Sequence, residues 1–345
     1  GGVTTGFPNT GWGQAAATGV GVNLRLWSQS AFGENLIFNA RGGSMNFWAV
    51  DTNPAIYDRG QVIVAGGTIT QKNYATGAGT TTVSVDSTCP SLVNYVLVSD
   101  ASRFTLAFGC NDPSGVVAGT ALDPLLVRWS DQESYATWLP AITNQAGSYR
   151  LSQGSQIITA LQTRQEILIW TDTSIYSMQF VGAPYVWTFQ IMGSNLSIIG
   201  PNAVVTVNNI TYWMGTDKFY MYSGRVETLP CSLRQYIFNN INKNQSWQVY
   251  AGANEGYNEV WWFYPSASSN WNDSYVIYNY VDHIWYFGSM VRTAWLDTPL
   301  RLFPQGASTA ANSTTGYLYN HEDGVDDDTN PMNSYIKSSD FDVGD

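Results

Sequence analysis

The sequence is dominated by one short unit that recurs along its length: a strand rich in aromatic and β-branched residues, a tight polar turn, and a second aromatic strand. Clear copies are NLIFNARGGSMNFWAV, EILIWTDTSIYSMQF and NITYWMGTDKFYMYS. Six such units begin at residues 35, 94, 166, 209, 258 and 316. Antiparallel units repeated at roughly 40–50 residues, with insertions between some of them, are typical of propeller blades. The sequence therefore predicts an all-β, β-propeller-like fold with about six blades of antiparallel strands.

The segments outside these units are rich in glycine and threonine. Residues 1–22 lack hydrophobic periodicity and are predicted to be an extended lead-in, whereas residues 23–345 are assigned to the propeller. The Gly/Thr-rich stretch at 60–88 is interpreted as a β-rich insertion, either an outer-strand extension or a projecting hairpin. The chain starts at Gly1 rather than Met and stops at Asp345, so we expect it to be a fragment of a longer polypeptide.

One short helix is expected between the fourth and fifth blades. The segment SLRQYIFNNINKNQS, which starts at Ser232, places apolar residues at helical spacing. Its first residue is a serine, a side chain that commonly caps the first turn of a helix. We therefore predict a helix whose N-terminus is capped by the Ser232 hydroxyl.

The composition favours a protein that contacts other proteins over one that binds nucleic acid tightly. Charged residues make up only 12% of the chain and aromatic residues 14%, whereas soluble domains average about 25% charged residues. Tyrosine and tryptophan are frequent at interfaces, although they would also fill the spaces between blades. The net charge is −11 with 15 Lys and Arg, and no basic cluster is present to neutralise phosphates. An acidic surface lets DNA slide past without sticking.

Cysteine usage and motifs provide no sign of a metal or cofactor site. The three cysteines are Cys89, Cys110 and Cys231, an odd number without CxxC spacing, which argues against a disulfide framework or a zinc site. A single disulfide bond between Cys89 and Cys110 is kept as an alternative. No P-loop or Rossmann glycine pattern occurs, so no cofactor is expected. No apolar run approaches the about 18 residues of a membrane span.

The residues that could support catalysis are few and scattered. The chain has only two histidines, His283 and His321, which makes a Ser-His-Asp triad improbable, and His283 is assigned to a turn. Glu133, Glu166 and Glu259 are candidate carboxylates, but the sequence gives no reason to pair any two for glycoside hydrolysis. The segment WSDQESYATW at 129–138 is a poor match to the Asp-box of propeller glycosidases, and its Ser and Asp are interpreted as turn residues. We therefore predict that the protein is not an enzyme.

The acidic segment HEDGVDDD at 321–328 is the one candidate metal site. Asp323, Asp326 and Asp328 could supply oxygen ligands to a hard cation. The spacing does not fit a calcium loop, and the alternative is an acidic loop in solvent.

Long stretches of the chain resemble structural proteins of tailed bacteriophages. The resemblance is carried by VRWSDQESYATWLPAITNQAGSYRLSQGSQIITALQTRQEILIWTDTSIYSMQFVG and continues through GSNLSIIGPNAVVTVNNITYWMGTDKFYMYSGRVETLPC, NEVWWFYPSASS, YVIYNYVDHIWYFG and GYLYNHEDGVDDD. It runs from about Leu24 to Asp345 and is similar to the tail nozzle, or tail tubular, proteins of short-tailed phages, a group also called packaged-DNA stabilisation or tail-hub proteins. No catalytic residue is transferred by this likeness.

The resemblance implies a virion protein, assembled in the bacterial host cytoplasm and located in the tail. It implies a homo-oligomeric ring, expected to be a hexamer, below the portal and adaptor. Adaptor or portal-proximal tail proteins and tail fibres or spikes would be its neighbours. Double-stranded DNA would pass through the ring without sequence-specific binding.

Two other functions are compatible with a propeller sequence of this composition. A carbohydrate-binding or glycan-degrading propeller on the phage tail would use exposed aromatic rings to stack on sugars, with two carboxylates close by. The sequence gives less support to a cellular scaffold propeller of repeat type, because the regular G-H and W-D signatures are missing.

Overall fold

The chain folds as a six-bladed β-propeller made of antiparallel sheets. The computed structural model describes residues 24–50, 60–72, 80–100, 102–297, 302–309, 316–327 and 330–331. Within these residues, five blades have four strands and the sixth has three. The predicted fold class is confirmed. The lead-in assigned to residues 1–22 lies outside the described residues.

The first blade and the hairpin that follows it are formed by residues 27–84. The blade has the order β1-β2-β3-β4, with β1 (Trp27–Phe32), β2 (Asn35–Ala40), β3 (Met45–Trp48) and β4 (Gln61–Val62). A separate two-stranded sheet pairs β5 (Thr68–Lys72) with β6 (Thr80–Ser84). The Gly/Thr-rich stretch thus contains both the outer strand of the first blade and a hairpin.

The second and third blades complete the first half of the propeller. The second blade contains β7 (Val93–Val98), β8 (Thr105–Cys110), β9 (Asp123–Trp129) and β10 (Gly147–Arg150). The third blade contains β11 (Ile157–Gln162), β12 (Ile167–Thr171), β13 (Ser174–Gly182) and β14 (Val186–Ser194).

The remaining blades follow in sequence order. The fourth contains β15 (Val204–Val207), β16 (Ile210–Met214), β17 (Phe219–Tyr222) and β18 (Val226–Leu229). The fifth contains β19 (Tyr250–Asn254), β20 (Glu259–Tyr264), β21 (Ser274–Asn279) and β22 (Ile284–Ser289). The sixth contains β23 (Ala294–Leu296), β24 (Gln305–Thr309) and β25 (Gly316–Asn320), and a short ladder joins β26 (Asp326–Asp327) to β27 (Asn330–Pro331).

The described residues contain one α-helix, and it is shorter than predicted and differently capped. The helix α1 spans Arg234–Asn239, and its N-cap is Leu233, which makes no side-chain capping bond. The predicted Ser232 cap was therefore wrong, because the helix begins one position too late for that hydroxyl to occupy the cap. A 3-10 helix follows at Lys243–Gln248, where the Asn242 side chain accepts a bond from the backbone N–H of Asn244. Asparagine side chains compete with the helical backbone in this way, so the predicted helix divides in two. A further 3-10 turn spans Glu255–Tyr257.

Tight turns between strands use residues that tolerate a left-handed backbone. Asn208 and Asn209 connect β15 to β16 with φ of 49° and 64°, as required for the two central residues of a type I′ hairpin turn. His283 has a φ of 57° in the turn before β22, and its Nδ1 lies 2.7 Å from the Tyr278 hydroxyl. The interpretation of His283 as a turn residue is therefore confirmed.

Large aromatic side chains fill the spaces between neighbouring blades. Trp170 of the third blade and Trp213 of the fourth are buried, with ring centroids 5.6 Å apart in an edge-on arrangement. Trp262 of the fifth blade is also buried and donates from its indole N–H to the Ala203 carbonyl, 3.1 Å away. Each indole buries a large apolar area and still finds geometry-specific contacts. The central strands of successive sheets are thus held together by tryptophan.

The cysteines are unpaired. Cys89, Cys110 and Cys231 all lie in the described residues and are free thiols, so the bridge considered between Cys89 and Cys110 does not form. Burial raises the pKa of Cys110 to about 12 and also raises that of Cys89. These two thiols are therefore packing groups rather than reactive ones.

A fully buried arginine joins the second blade to the segments that flank it. The Arg128 guanidinium donates to the carbonyl oxygens of Thr88 at 2.5 Å, Asn111 at 3.1 Å and Trp138 at 3.2 Å. Asp112 lies 4.0 Å away and is equally buried. Burial lowers the pKa of Arg128. Because each carbonyl belongs to a different segment, this one side chain holds three stretches of irregular backbone in place.

Asp112 accepts a set of hydrogen bonds that favours its ionised form. Its carboxylate accepts from the Ser114 hydroxyl at 2.7 Å and from the backbone N–H groups of Val117 at 2.6 Å and Ala118 at 3.2 Å. Burial acts to raise the pKa of Asp112, but these hydrogen bonds outweigh it and the pKa is lowered from 3.8. Hydrogen bonding to a carboxylate has this effect generally.

This lowered pKa predicts a pH dependence of stability. A carboxyl group whose pKa is lower in the folded than in the unfolded chain stabilises the fold above its unfolded pKa. That contribution is lost as the pH falls through 3.8 and then through the folded pKa. We expect Asp112→Asn to lower the melting temperature at pH 7 and to flatten its decline between pH 5 and 2, measured by thermal unfolding. Asp282→Asn, in an exposed turn, is the control, and a parallel decline in both variants would contradict the assignment.

Candidate functional site

Two of the three metal ligands nominated from the sequence lie in the described part of the chain. Asp323 and Asp326 are exposed in the segment after β25, and Asp328 lies outside the described residues. No group of three or more His, Cys, Asp or Glu side chains that could hold a metal ion occurs within the described part of the chain. The candidate metal site at 321–328 therefore stays a prediction.

The three carboxylates considered for glycoside hydrolysis are separated by the fold. Glu133 pairs with Arg103 at 3.1 Å on the second blade, and both side chains are exposed. Glu259 on the fifth blade accepts from the Trp261 indole N–H at 2.9 Å, and burial raises the pKa of Glu259. Glu166 lies on the third blade. The structure brings no two of these three groups together.

The turn residues of the segment at 129–138 also act structurally. The Ser130 hydroxyl accepts from the backbone N–H of Thr105 at 2.9 Å. The Asp131 carboxylate accepts from the backbone N–H groups of Gln132 and Gln145, each at 2.9 Å. Trp138 is fully buried. This segment is a hydrogen-bonded connection between β9 and β10 and presents no catalytic arrangement.

A polar cleft lies between the third and fourth blades, where three hairpin turns meet on one side of the propeller. It has a volume of about 240 Å³ and is lined by Thr163, Gln165, Glu166, Asn208, Asn209, Ile210, Thr211, Tyr222, Ser223 and Gly224. The turns are those between β11 and β12, between β15 and β16, and between β17 and β18. Amide and hydroxyl groups predominate in this lining.

Glu166 occupies a fixed position in this cleft. Its carboxylate accepts hydrogen bonds from the Tyr222 hydroxyl at 2.7 Å, from the Gln179 amide at 3.2 Å and from the Ser177 hydroxyl. Burial raises the pKa of Tyr222, and donation to Glu166 raises it further. The Glu166–Tyr222 bond connects the third blade to the fourth. The sequence contained Glu166 as a candidate, but its partner is 56 positions away and carried no recognisable signal.

The cleft does not contain the pair of acids that glycoside hydrolysis needs. Glu166 is the one carboxylate among the described residues that line it, whereas glycosidases place two carboxyl groups across the scissile bond. The chemistry available here is hydrogen bonding and charge pairing. The cleft is therefore a candidate binding site.

A second notable arrangement lies at the propeller axis, where the first strands of the blades converge. Arg41, in the turn between β2 and β3, extends from the first blade to the third, where it donates to the carbonyl oxygens of Ile157 at 2.8 Å and Ile158 at 2.9 Å. Its guanidinium also lies over the Trp247 ring, 4.9 Å from the centroid. The register of β11 shifts between Ile157 and Thr159, and such a bulge leaves carbonyl groups outside the strand ladder.

The cavity beside Arg41 has a volume of about 10 Å³ and is lined by Leu26, Trp27, Ser28, Arg41, Asn94, Tyr95, Pro201 and Asn202. A volume near 10–15 Å³ is about the minimum for one water molecule. Burial lowers the pKa of Arg41 from 12.5 to about 10, although the nearby Tyr95 acts in the opposite direction. The side chain stays charged at neutral pH.

The outer edge of the fifth blade exposes several large apolar side chains. Ile284, Tyr286 and Phe287 of β22 and Tyr236 of α1 are each between 43% and 51% exposed. The Tyr236 and Phe287 rings contact one another, with centroids 4.7 Å apart. We call this set the blade-five edge. Grouped apolar side chains on a surface mark sites of contact with other macromolecules more often than single ones do.

Comparison with known proteins adds little to this description. No protein-family model matches the chain, and no curated protein matches it. Among solved structures, Hsv2 of Kluyveromyces lactis matches with 9% identity and a TM-score of 0.42, covering 90% of this chain and 77% of its own. A Bacteroides uniformis protein, to which 6-phosphogluconolactonase activity is attributed, matches with 10% identity and a TM-score of 0.47, covering 86% and 83%. Likenesses this weak carry no argument about function.

No helix in the described part of the chain is long and apolar enough to span a lipid bilayer.

The arrangement around Arg41 predicts that this side chain contributes strongly to stability. Arg41→Met keeps the length of the apolar stem but removes both hydrogen bonds to the third blade. We expect a loss of about 2–3 kcal/mol in the free energy of unfolding, since hydrogen bonds to charged groups contribute roughly 1.5–3 kcal/mol. Urea unfolding measures the change. Arg225→Met is the control, because Arg225 is exposed and Glu227 is its one ion-pair partner among the described residues, and surface pairs contribute about 0–1 kcal/mol. Equal effects of the two substitutions would contradict the role of Arg41.

Proposed function

We propose that this protein is a structural component of a bacteriophage virion tail, a ring-forming nozzle or hub that extends the DNA channel below the portal and adaptor. In this role it helps to retain packaged DNA and conducts it during ejection. It acts as a homo-oligomer, with six copies as the working number. Adaptor or portal-proximal tail proteins and tail fibres or spikes are its neighbours in the virion, and it has no catalytic function.

The observation that carries this proposal is the blade-five edge. Four large apolar side chains, three of them aromatic, are half exposed along one outer strand and the adjoining helix. Aromatic residues are enriched and charged residues depleted at the centres of protein interfaces. A chain with only 12% charged residues that exposes such an edge is suited to contact with another subunit.

The spacing of the blades restricts where DNA could pass. The Arg41 side chain reaches from the first blade to the carbonyl oxygens of Ile157 and Ile158 on the third, a span far shorter than the roughly 20 Å width of duplex DNA. A DNA channel would have to lie between copies arranged around a common axis. The net charge of −11 suits such a channel, because carboxylates facing the DNA repel its phosphates and keep it mobile.

Electron microscopy of the chain in its native particle, or in a recombinant assembly, tests this proposal. Class averages viewed end-on are expected to show a closed ring of propellers around a channel wide enough for duplex DNA, about 20 Å across. Isolated propellers, or trimeric spikes without a channel, would overturn the proposal. They would favour the carbohydrate-binding or glycan-degrading alternative, for which glycan-binding assays would be the next measurement.

A substitution at the blade-five edge tests the interface itself. Phe287→Asp places a charge where an apolar contact is proposed, and we expect it to shift the assembly towards monomers in analytical ultracentrifugation while the circular dichroism spectrum stays unchanged. Val116→Asp is the matched control, because Val116 is an exposed apolar residue on the second blade. Assembly that is unaffected by Phe287→Asp would exclude this edge from the subunit interface.

A further inference from the structure

The cleft between the third and fourth blades holds a carboxylate without a charged partner. Glu166 forms no ion pair with any described residue, although five such pairs occur elsewhere in the described chain. The nearest arginine in sequence, Arg164, is exposed in the same turn and does not line the cleft. The negative charge of Glu166 is stabilised only by hydroxyl and amide donors. A group of this kind attracts a cation.

The hydrogen bonds around Glu166 leave room for one more donor. A carboxylate has about four lone-pair positions, and donors occupy three of the four on Glu166. Two of these donors, Ser177 and Gln179, share the oxygen Oε2, whereas Oε1 accepts from Tyr222 alone. The free position is therefore on Oε1. Tyr222, which shares that oxygen, also lines the cleft.

The rest of the lining suits a group with several N–H donors. The amide oxygens of Gln165, Asn208 and Asn209 can each accept a hydrogen bond, and they come from two different turns. Asn208 and Asn209 are the two central residues of a tight turn and both have a left-handed backbone. A ligand with one positive charge and more than one N–H group would use both the carboxylate and these amides.

The size of the cleft limits what it can enclose. Its volume of about 240 Å³ is below the roughly 300–1,000 Å³ of pockets that enclose drug-sized molecules. A single long side chain is of suitable size, whereas an oligosaccharide is not. No aromatic face is exposed in the cleft for a sugar ring to stack on, since Tyr222 is buried.

We propose that this cleft is a binding site for a basic side chain of a partner protein, with the guanidinium or ammonium group held by Glu166 Oε1 and the surrounding amides. A charge-assisted hydrogen bond of this type is stronger than a neutral one. The blade-five edge lies on a different blade and plays no part in the cleft. Binding here does not require the ring, so this proposal and the proposed function fail separately.

Titration of the folded chain with capped amino acids tests the site. The probes are Nα-acetylarginine amide, Nα-acetyllysine amide and, as the neutral counterpart of arginine, Nα-acetylcitrulline amide. Binding is measured by ligand-observed NMR at low salt, because screening weakens exposed charge pairs. We expect the arginine or the lysine probe to bind about tenfold more tightly than the citrulline probe. Equal binding of the citrulline probe, or binding of Ca²⁺ but of neither cationic probe, would overturn the proposal.

Two variants locate the binding. Glu166→Gln keeps the shape of the side chain and is expected to weaken binding of the cationic probe about tenfold. Glu133→Gln makes the same change of charge on the second blade and is expected to leave the affinity unchanged. Unaltered affinity in folded Glu166→Gln protein would refute the site.

A third variant leaves the hydrogen bond between Glu166 and Tyr222 intact. Asn209→Asp adds a carboxylate at the lip of the cleft, in a left-handed position that aspartate tolerates. It is expected to tighten binding of the cationic probe several-fold. If Glu166→Gln does not fold, the Asn209→Asp variant serves as the test of the site. An affinity for the cationic probe equal to that of the unmodified chain would then overturn the proposal.

Discussion

The packing of one sheet face against the next is the interaction on which this molecule depends. A four-stranded sheet with apolar side chains on both faces is not stable alone, because each face must be covered by another layer. Trp170, Trp213 and Trp262 provide this cover between the third, fourth and fifth blades, and each lies in the second strand of its sheet. Because the covering groups recur at the same place in these three blades, each of their sheets positions the next.

Arg41 donates hydrogen bonds to two backbone carbonyl groups of the third blade. The first strand of the third blade, β11, contains a bulge that leaves backbone carbonyl groups outside the strand ladder. Buried carbonyl groups without a donor are costly. A guanidinium supplies several N–H groups in one plane, so a single residue from the first blade can satisfy two carbonyls of the third and cover the Trp247 ring. The contact between the first and third blades is thus a consequence of how these backbone carbonyl groups are satisfied.

Much of the fold could be predicted from the sequence because hairpin pairing is local. The cleft and the Arg41 contacts could not be predicted, because they join residues that are far apart in the sequence. Strand, turn and strand lie within about 15 residues, so the repeat was visible without any long-range information. Nothing in the sequence indicated a role for Arg41, because its partners are more than 100 residues away. Glu166 was a candidate without a role for the same reason, since Tyr222 lies on another blade. Ser232 was placed at the wrong cap because helix boundaries depend on backbone geometry that residue type alone does not determine.

The distribution of charge connects these features to a common physical requirement. With 26 acidic and 15 basic residues, the chain cannot neutralise all of its own carboxylates. Asp112 accepts from backbone N–H groups and a hydroxyl and lies 4.0 Å from the buried Arg128. The side chains of Asp323 and Asp326 are exposed to solvent. Glu166 is the different case, because it is partly withdrawn from water in a cleft and has only neutral donors. Charged groups withdrawn from solvent gain most from a counter-charge. A binding partner that brings a cation to Glu166 therefore completes an arrangement that the chain leaves incomplete.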